Sequence, residues 1–323
     1  MIQLLTSAIA FGTIIMFGAM GEILIEKAGN LNLGIPGIMY LGGIGGLIAS
    51  FFYELNGGTN PFVGILLSIL CCMACAAVGG LIYAFLTITL RANQNVTGLT
   101  LTIFGGGVAN FLGGSLNTIA GGVGQISVPI TSAGFRWYAQ TFAGENWFMR
   151  IFLQRGFMAF LAIVMALVLY YFMNRTRTGL NLRAVGENPG TADAAGINVT
   201  KYKYVANIVG AGISGLGGLF YTMDYIKGTW ANDGTIEGLG WLAVALVIFA
   251  SWRYLRVLFG SYLFGLVYWA YLYIPGLNRS TLELFKMLPY VVTLVVLIAV
   301  SLRKKRENQP PASLGLPYFR EER

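Results

Sequence analysis

The first residues in this chain that could do chemistry are Cys72-x-x-Cys75, with Cys71 beside them, a spacing used by redox dithiols and by thiolate metal sites. Their surroundings argue against both. They sit inside a long apolar run, where small side chains let helices pack closely, and the chain has no histidine to complete a ligand set or shuttle a proton. Carboxylates are scarce in the apolar runs. Glu22 and Glu26 stand at the end of the first run, and Asp224, Asp233 and Glu237 lie outside the sixth and seventh. A charge at a membrane-helix centre costs about 2.5–3.5 kcal/mol on insertion scales, so a proton relay would stand out as a chain of such residues, and none is present. A GxxxxGK[ST] phosphate loop is also lacking, so any ATP chemistry must belong to another polypeptide. The G-x-G-x-x-G look-alikes around Gly212 and Gly238 neither follow a strand nor carry the downstream acid a nucleotide site needs.

What remains is hydrogen bonding by neutral groups. Asn32 lies in a Gly-rich connection, Asn93, Gln94 and Asn95 stand at the inner end of the fourth run, and Asn110 and Asn207 lie within runs. Such amides can line a path for a neutral or zwitterionic solute without the cost of a charge, and they serve equally well as bonds between helices. The path therefore favours an uncharged polar cargo.

The most organised polar stretch is 179–203, GLNLRAVGENPGTADAAGINVTKYK, held between two apolar runs. It reads as a loop with a short helix inside it. Asn188-Pro189-Gly190 makes a turn, Thr191 stands where an N-cap hydroxyl belongs, Asp193 suits the helix dipole, and Gly196 can take the left-handed conformation that closes the stub. Isolated helices below about 12 residues are marginal in water, so this stub must dock on something.

The elements that position these residues follow from composition. Of 323 residues, 56% are hydrophobic and 11% charged, with mean hydropathy +0.68, far from the roughly 25% charged of soluble chains. The chain reads as an all-α polytopic membrane protein. About nine apolar runs of spanning length lie near 3–25, 33–53, 62–90, 97–113, 152–172, 204–222, 238–255, 257–274 and 287–302. Residues 1–302 form the transmembrane domain and 303–323 a polar, extended tail whose Arg303-Lys304-Lys305-Arg306 opening anchors it inside and touches anionic lipid. With the segment after the fifth run in the cytoplasm, only Arg136, Arg150, Arg155, Lys227, Arg279 and Lys286 of the 21 Lys and Arg fall on the other side. The net charge of +8 thus serves orientation, N-terminus out and C-terminus in, and not nucleic-acid binding. Gly-rich connections at 26–37 and 232–240 fall on opposite sides, as an inverted repeat of spans one to four and six to nine requires. Small residues at four-residue steps, such as Ala206, Gly210, Ser214 and Gly218, make flat stripes for close helix contact. The 114–151 connection, with Phe135, Trp137, Tyr138, Trp147 and Phe148, reads as an external loop that is either an interfacial aromatic belt or a docking surface for an external binding protein.

The 179–203 stretch also resembles, in order, the cytoplasmic coupling loop of ABC importer permeases of the branched-chain amino acid, simple sugar and nucleoside family. The pattern G-x-x-x-R-A-x-G-x-N-P-x-x-A-x-x-x-G-I is met by Gly179, Arg183, Ala184, Gly186, Asn188, Pro189, Ala192, Gly196 and Ile197. A GxxNLGxxG element is met by Gly29, Asn32, Leu33, Gly34 and Gly37, although this chain has Pro36 where a glutamate is common. With NLNLGIPGIM and LRANQNVTGL, the chain looks most like the shorter permease of nucleoside importers. The resemblance implies an alternating-access pathway in a bacterial cytoplasmic membrane, with residues 173–203 as the coupling loop. Arg183, Gly186, Glu187, Asn188, Pro189, Thr191, Asp193 and Gly196 would then transmit the stroke of a separate ATPase that binds ATP and magnesium. It also implies a second permease, homologous or identical, and an extracytoplasmic binding lipoprotein. Simple sugars and branched-chain amino acids remain alternative cargoes. An ATP-independent channel or carrier is the competing class, while a membrane enzyme is disfavoured by the missing histidine and paired carboxylates.

Overall fold

The computed structural model describes residues 2–121, 126–137, 156–270, 284–285, 287–303 and 309–320, and among these it is helical apart from turns and one isolated bridge pairing Ser127 with Thr229. In chain order the helices are α1 (Ile2–Glu26), α2 (Ile35–Leu55), α3 (Pro61–Ala84, continued by a π turn over Phe85–Thr89), α4 (Gln94–Ile119), α5 (Pro129–Phe135) and α6 (Phe157–Arg175). They continue with α7 (Arg177–Glu187), α8 (Pro189–Ala194), α9 (Val199–Phe220, continued by a π turn over Tyr221–Tyr225), α10 (Thr235–Ala250), α11 (Tyr254–Ala270) and α12 (Leu288–Arg303). Among the described residues, 6 helices are long and apolar enough to cross a membrane: α1, α2, α3, α4, α6 and α9, the third and last counted with their π turns. The runs expected to span near 238–255, 257–274 and 287–302 contain the helices α10, α11 and α12, which among the described residues fall short of spanning length.

The core forms where glycines of crossing helices meet. α1 and α9 are buried nearly all round, and they cross where Gly21 meets the Gly210 carbonyl and Ser214, whose hydroxyl donates to the Gly18 carbonyl at 3.0 Å. Gly218 lies on the Met39 carbonyl, and Gly42 on Gly215, with Ala76 and Cys72 of α3 completing that contact. Gly37 and Gly105 join α2 to α4 backbone to backbone. A β-carbon at these positions would collide with main chain, so the small-residue stripes act as packing surfaces, the Cys72 thiol included. By contrast α3, α4, α6 and α12 expose rows of Leu, Ile, Val and Phe outward.

Two ends of the bundle alternate along the chain. One carries the turns 27–34 and 90–93, the 176–198 segment, the 251–253 turn and residues 309–320. The other carries 126–137, Gly156 and 226–234, joined by the Val128 N–H to the Gly228 carbonyl at 2.9 Å. Here the 114–151 reading is partly corrected. α4 runs on to Ile119, and Phe135, expected in an interfacial belt, is fully buried and stacks on Phe157 with centroids 5.6 Å apart. Trp137 is exposed against Phe62. Tyr138, Trp147 and Phe148 lie outside the described residues.

Candidate functional site

The 176–198 segment is an elbow of two helices, not a loop around one stub. Thr176 caps α7, its hydroxyl accepting from the Gly179 N–H at 3.0 Å, so residues read as a loop from Gly179 to Glu187 are helical. Asn188 then ends α7 and opens α8, and its Oδ1 accepts from the Thr191 N–H at 3.0 Å. The cap is therefore Asn188, three residues before the expected Thr191, because Pro189 is well placed at the first helical position, where no N–H is needed. Thr191 lies one turn inside, on the exposed face. Gly196 closes α8 at φ +81°, in the left-handed region, and Asn198 caps α9 by accepting from the Lys201 N–H at 2.9 Å.

The stub docks on its own flanks. Val185 of α7, Ala192 of α8 and Val199 of α9 form a small separate core, with Ala184, Ile197, Tyr202 and Tyr318 against it. This leaves Thr191, Ala194, Ala195, Gly196 and Asn198 exposed, a knob of small side chains. Asp193 pairs with Arg320 at 3.2 Å. Gly186 abuts the Lys27 carbonyl, an approach that a β-carbon would block. Arg183 and Glu187 face a recess of about 1110 Å³ shared with Lys27, Trp252, Arg253 and Arg256. Burial pushes the Lys27 ammonium below its ordinary value, with Glu187 opposing the shift and Arg183 and Arg253 adding to it. A second recess of about 710 Å³ lies on the other flank, lined by Arg91, Gln94, Asp193, Lys201, Lys203 and Arg320 among others.

The amide candidates are divided. Asn32 is fully buried and accepts from the Gly34 N–H at 2.9 Å, and Gln94 Oε1 accepts from the Leu31 N–H at 2.7 Å, so these two meet at the start of α2. Asn93 caps α4 by accepting from Val96 N–H at 3.1 Å, and Asn95 is exposed. Asn207, buried on α9, donates to the Lys203 carbonyl at 2.9 Å, whereas Asn110 lies farther along α4.

The sequence reading underweighted a polar nest at the elbow end of the core. Glu22 is fully buried and neither of its carboxylate oxygens has a hydrogen-bond partner among the described residues; the same holds for both polar atoms of the Asn30 side chain, for Asn32 Nδ2 and for Asn207 Oδ1. Glu26 accepts from the Trp252 indole, and Tyr83 donates to the Leu31 carbonyl. Glu22 was visible as a carboxylate inside an apolar run. Lys203, counted as a loop charge, is 2% exposed on α9, because the helix begins at Val199.

A bundle of apolar helices threaded by close glycine contacts, with a capped two-helix knob at one end and neutral amides at the starts of α2 and α4, defines a membrane transport subunit. A family model described as the permease component of branched-chain amino acid transport systems matches residues 4–297, and the chain belongs to that family of ABC transporter permeases. A putative glucose ABC transporter permease of Haloferax volcanii is 37% identical over 82% of this chain and 75% of its own. A nucleoside ABC transporter permease of Lactococcus lactis is 30% identical over 91% of this chain and 90% of its own, and a guanosine ABC transporter permease of Bacillus subtilis is 28% identical over 98% and 96%. These relatives are transport components, and the chain is a multi-pass membrane permease, not an enzyme.

Proposed function

We propose that this chain is the shorter permease of a nucleoside importer in a bacterial cytoplasmic membrane, crossing it nine times with the elbow end in the cytoplasm. Among the described residues, the elbow end holds Lys27, Arg91, Arg183, Lys201, Arg253 and Arg256, while the opposite end holds Arg136 and Lys227, which supports that orientation. The packing supports an inverted repeat. α1 lies on α11 as α9 lies on α3, α2 lies on α9 as α10 lies on α1, and α2 meets α10 where Gly240 touches Pro36. Under that repeat Ile236-Glu237-Gly238 corresponds in sequence to Ile35-Pro36-Gly37, with a glutamate at the second position of the second half.

The observation that carries the mechanism is the elbow: a knob with an exposed small-residue face, seated on its own core and abutting the turn into α2. A rigid knob can pass a push where a floppy loop could not. In this reading a partner ATPase, holding ATP and magnesium, draws on Thr191 to Gly196. A homologous permease completes the pathway, and an external binding lipoprotein delivers the cargo. The nucleoside and guanosine relatives, matched over most of the chain, favour a nucleoside. The glucose relative supports a sugar as the second reading.

Uptake of labelled guanosine and glucose by the reconstituted importer separates the two cargoes. Deleting residues 191–196 should reduce ATP-driven uptake to background, a fall of 100-fold or more, with normal membrane insertion. Undiminished uptake by that variant would remove the coupling role.

A further inference from the structure

We propose that residues 311–320 are a clasp that ties the elbow to the turn leading into α2, so that Ser313 and Tyr318 are positioning residues for transport. This inference rests on the elbow being the motor contact. The N–H of Ser313 donates to the Gly186 carbonyl at 3.0 Å and its hydroxyl donates to the same oxygen. Two residues on, the N–H of Gly315 donates to the Gly29 carbonyl at 3.3 Å. One short stretch thus bridges the last turn of α7 and the turn after α1. A β-carbon on Gly29, at φ +85°, would stand 2.8 Å from the Ser313 hydroxyl and 3.4 Å from the Gly186 Cα.

Beyond the bridge, the stretch reaches both other parts of the elbow end. Tyr318 closes the small core of Val185, Ala192 and Val199. The Arg91 guanidinium, on the turn between α3 and α4, lies 4.1 Å from the Phe319 ring centre, and Arg320 holds Asp193 of α8. Arg320 is largely exposed, so solvent weakens that pair, and the backbone bridge and the tyrosine seat carry the clasp. The turn it grips is itself tied to the pore helices, since Leu31 is held on one side by Gln94 of α4 and on the other by Tyr83 of α3. A displacement of α8 therefore reaches the starts of α2 and α4 through Gly186, Ser313 and Gly29.

The test uses the complete importer in proteoliposomes, scored as solute taken up per ATP hydrolysed, a ratio that a mere loss of folded protein does not move. Ser313→Pro removes both donors, and truncation after Asn308 removes the clasp. Both should keep the ATPase in the complex and basal ATP turnover within about twofold of wild type, while uptake per ATP falls at least 10-fold. Ser313→Ala keeps the N–H and should fall only 2–3-fold. An uptake ratio within twofold of wild type for Ser313→Pro and the truncation overturns the clasp. Loss of the ATPase from the complex also overturns it, since the stretch would then be a docking element. The parent reading is judged separately: if the 191–196 deletion still takes up solute, the elbow is not the motor contact, and the clasp falls with it.

Discussion

The two ends of the bundle use their carboxylates differently. At the end away from the elbow, carboxylates close helix termini. Asp224 accepts from the Gly156 N–H at 3.0 Å where α6 begins, Glu54 accepts from Thr131 N–H at 2.7 Å and Ile130 N–H at 3.3 Å where α5 begins, and Asp233 accepts from Thr235 N–H at 3.0 Å where α10 begins. Such caps satisfy otherwise orphaned amides and suit the helix dipole. At the elbow end Glu22, Asn30, Asn32 and Asn207 keep buried polar atoms without hydrogen-bond partners among the described residues, each at a cost of about 1–3 kcal/mol. The backbone there is strained as well. Ser251 and Trp252 stand at φ +51° and +56°, where non-glycine residues lose roughly 1–2 kcal/mol each, and the Trp252 indole on Glu26 holds them. The far end has its own buried unpartnered hydroxyl, Thr131, and its own residue in the left-handed region, Lys227 at φ +60°, so the contrast lies in the carboxylates: they close helix starts at one end, while at the other Glu22 is buried with no hydrogen-bond partner among the described residues. A desolvated carboxylate such as Glu22 is a contact that a rearrangement of the elbow end during transport would relieve.

Equivalent substitutions at the two ends sharpen this contrast. Asp224→Leu leaves the buried Gly156 amide unpaired and should lower stability by about 2–3 kcal/mol, read as a fall in the thermal unfolding midpoint of the purified protein. Glu22→Leu should do the reverse, raising stability by about 1–2 kcal/mol, because it removes a desolvated group with no hydrogen-bond partner among the described residues. Uptake should fall in that more stable protein. Destabilisation by Glu22→Leu would break the contrast, since it would mean that the carboxylate is well satisfied where it lies.

The smallest effect concerns pH. The folded-state value of Lys27 is depressed, chiefly by burial, so the folded protein binds fewer protons than the unfolded chain between that value and the ordinary lysine value near 10.4. The lysine therefore destabilises at lower pH, and its penalty is relieved as pH rises through the depressed value. Lys27→Gln should unfold at a higher temperature than wild type at pH 7, with the gap narrowing toward pH 10. A gap independent of pH would assign the effect to packing.

Much of this was legible in local pattern. The long apolar runs located α1, α2, α3, α4, α6 and α9 to within a few residues, because hydrophobic length is all that spanning requires. Gly196 was readable as a left-handed closure and Pro189 as a helix start. The capping residue was misplaced, since Asn188 and Thr191 both have the right chemistry and only the path of α7 into the turn decides between them. The amides resisted assignment for the same reason. Gln94 and Asn93 carry groups suited to a solute, and the structure uses them to hold Leu31 and to cap α4.

By itself the amino-acid order determined that the chain enters a membrane, which stretch stays polar outside it, and which glycines can face a neighbouring backbone. These follow from transfer free energy and side-chain size, properties each residue carries wherever it sits. The tertiary structure alone decided that Glu22 lies without a hydrogen-bond partner among the described residues, that Lys203 is buried, that Phe135 leaves the interface, and that residues 309–320 return to grip the elbow. Those outcomes depend on which surfaces meet across hundreds of residues, and a hydrogen bond such as Ser313 to Gly186 exists only once the helices between them have packed.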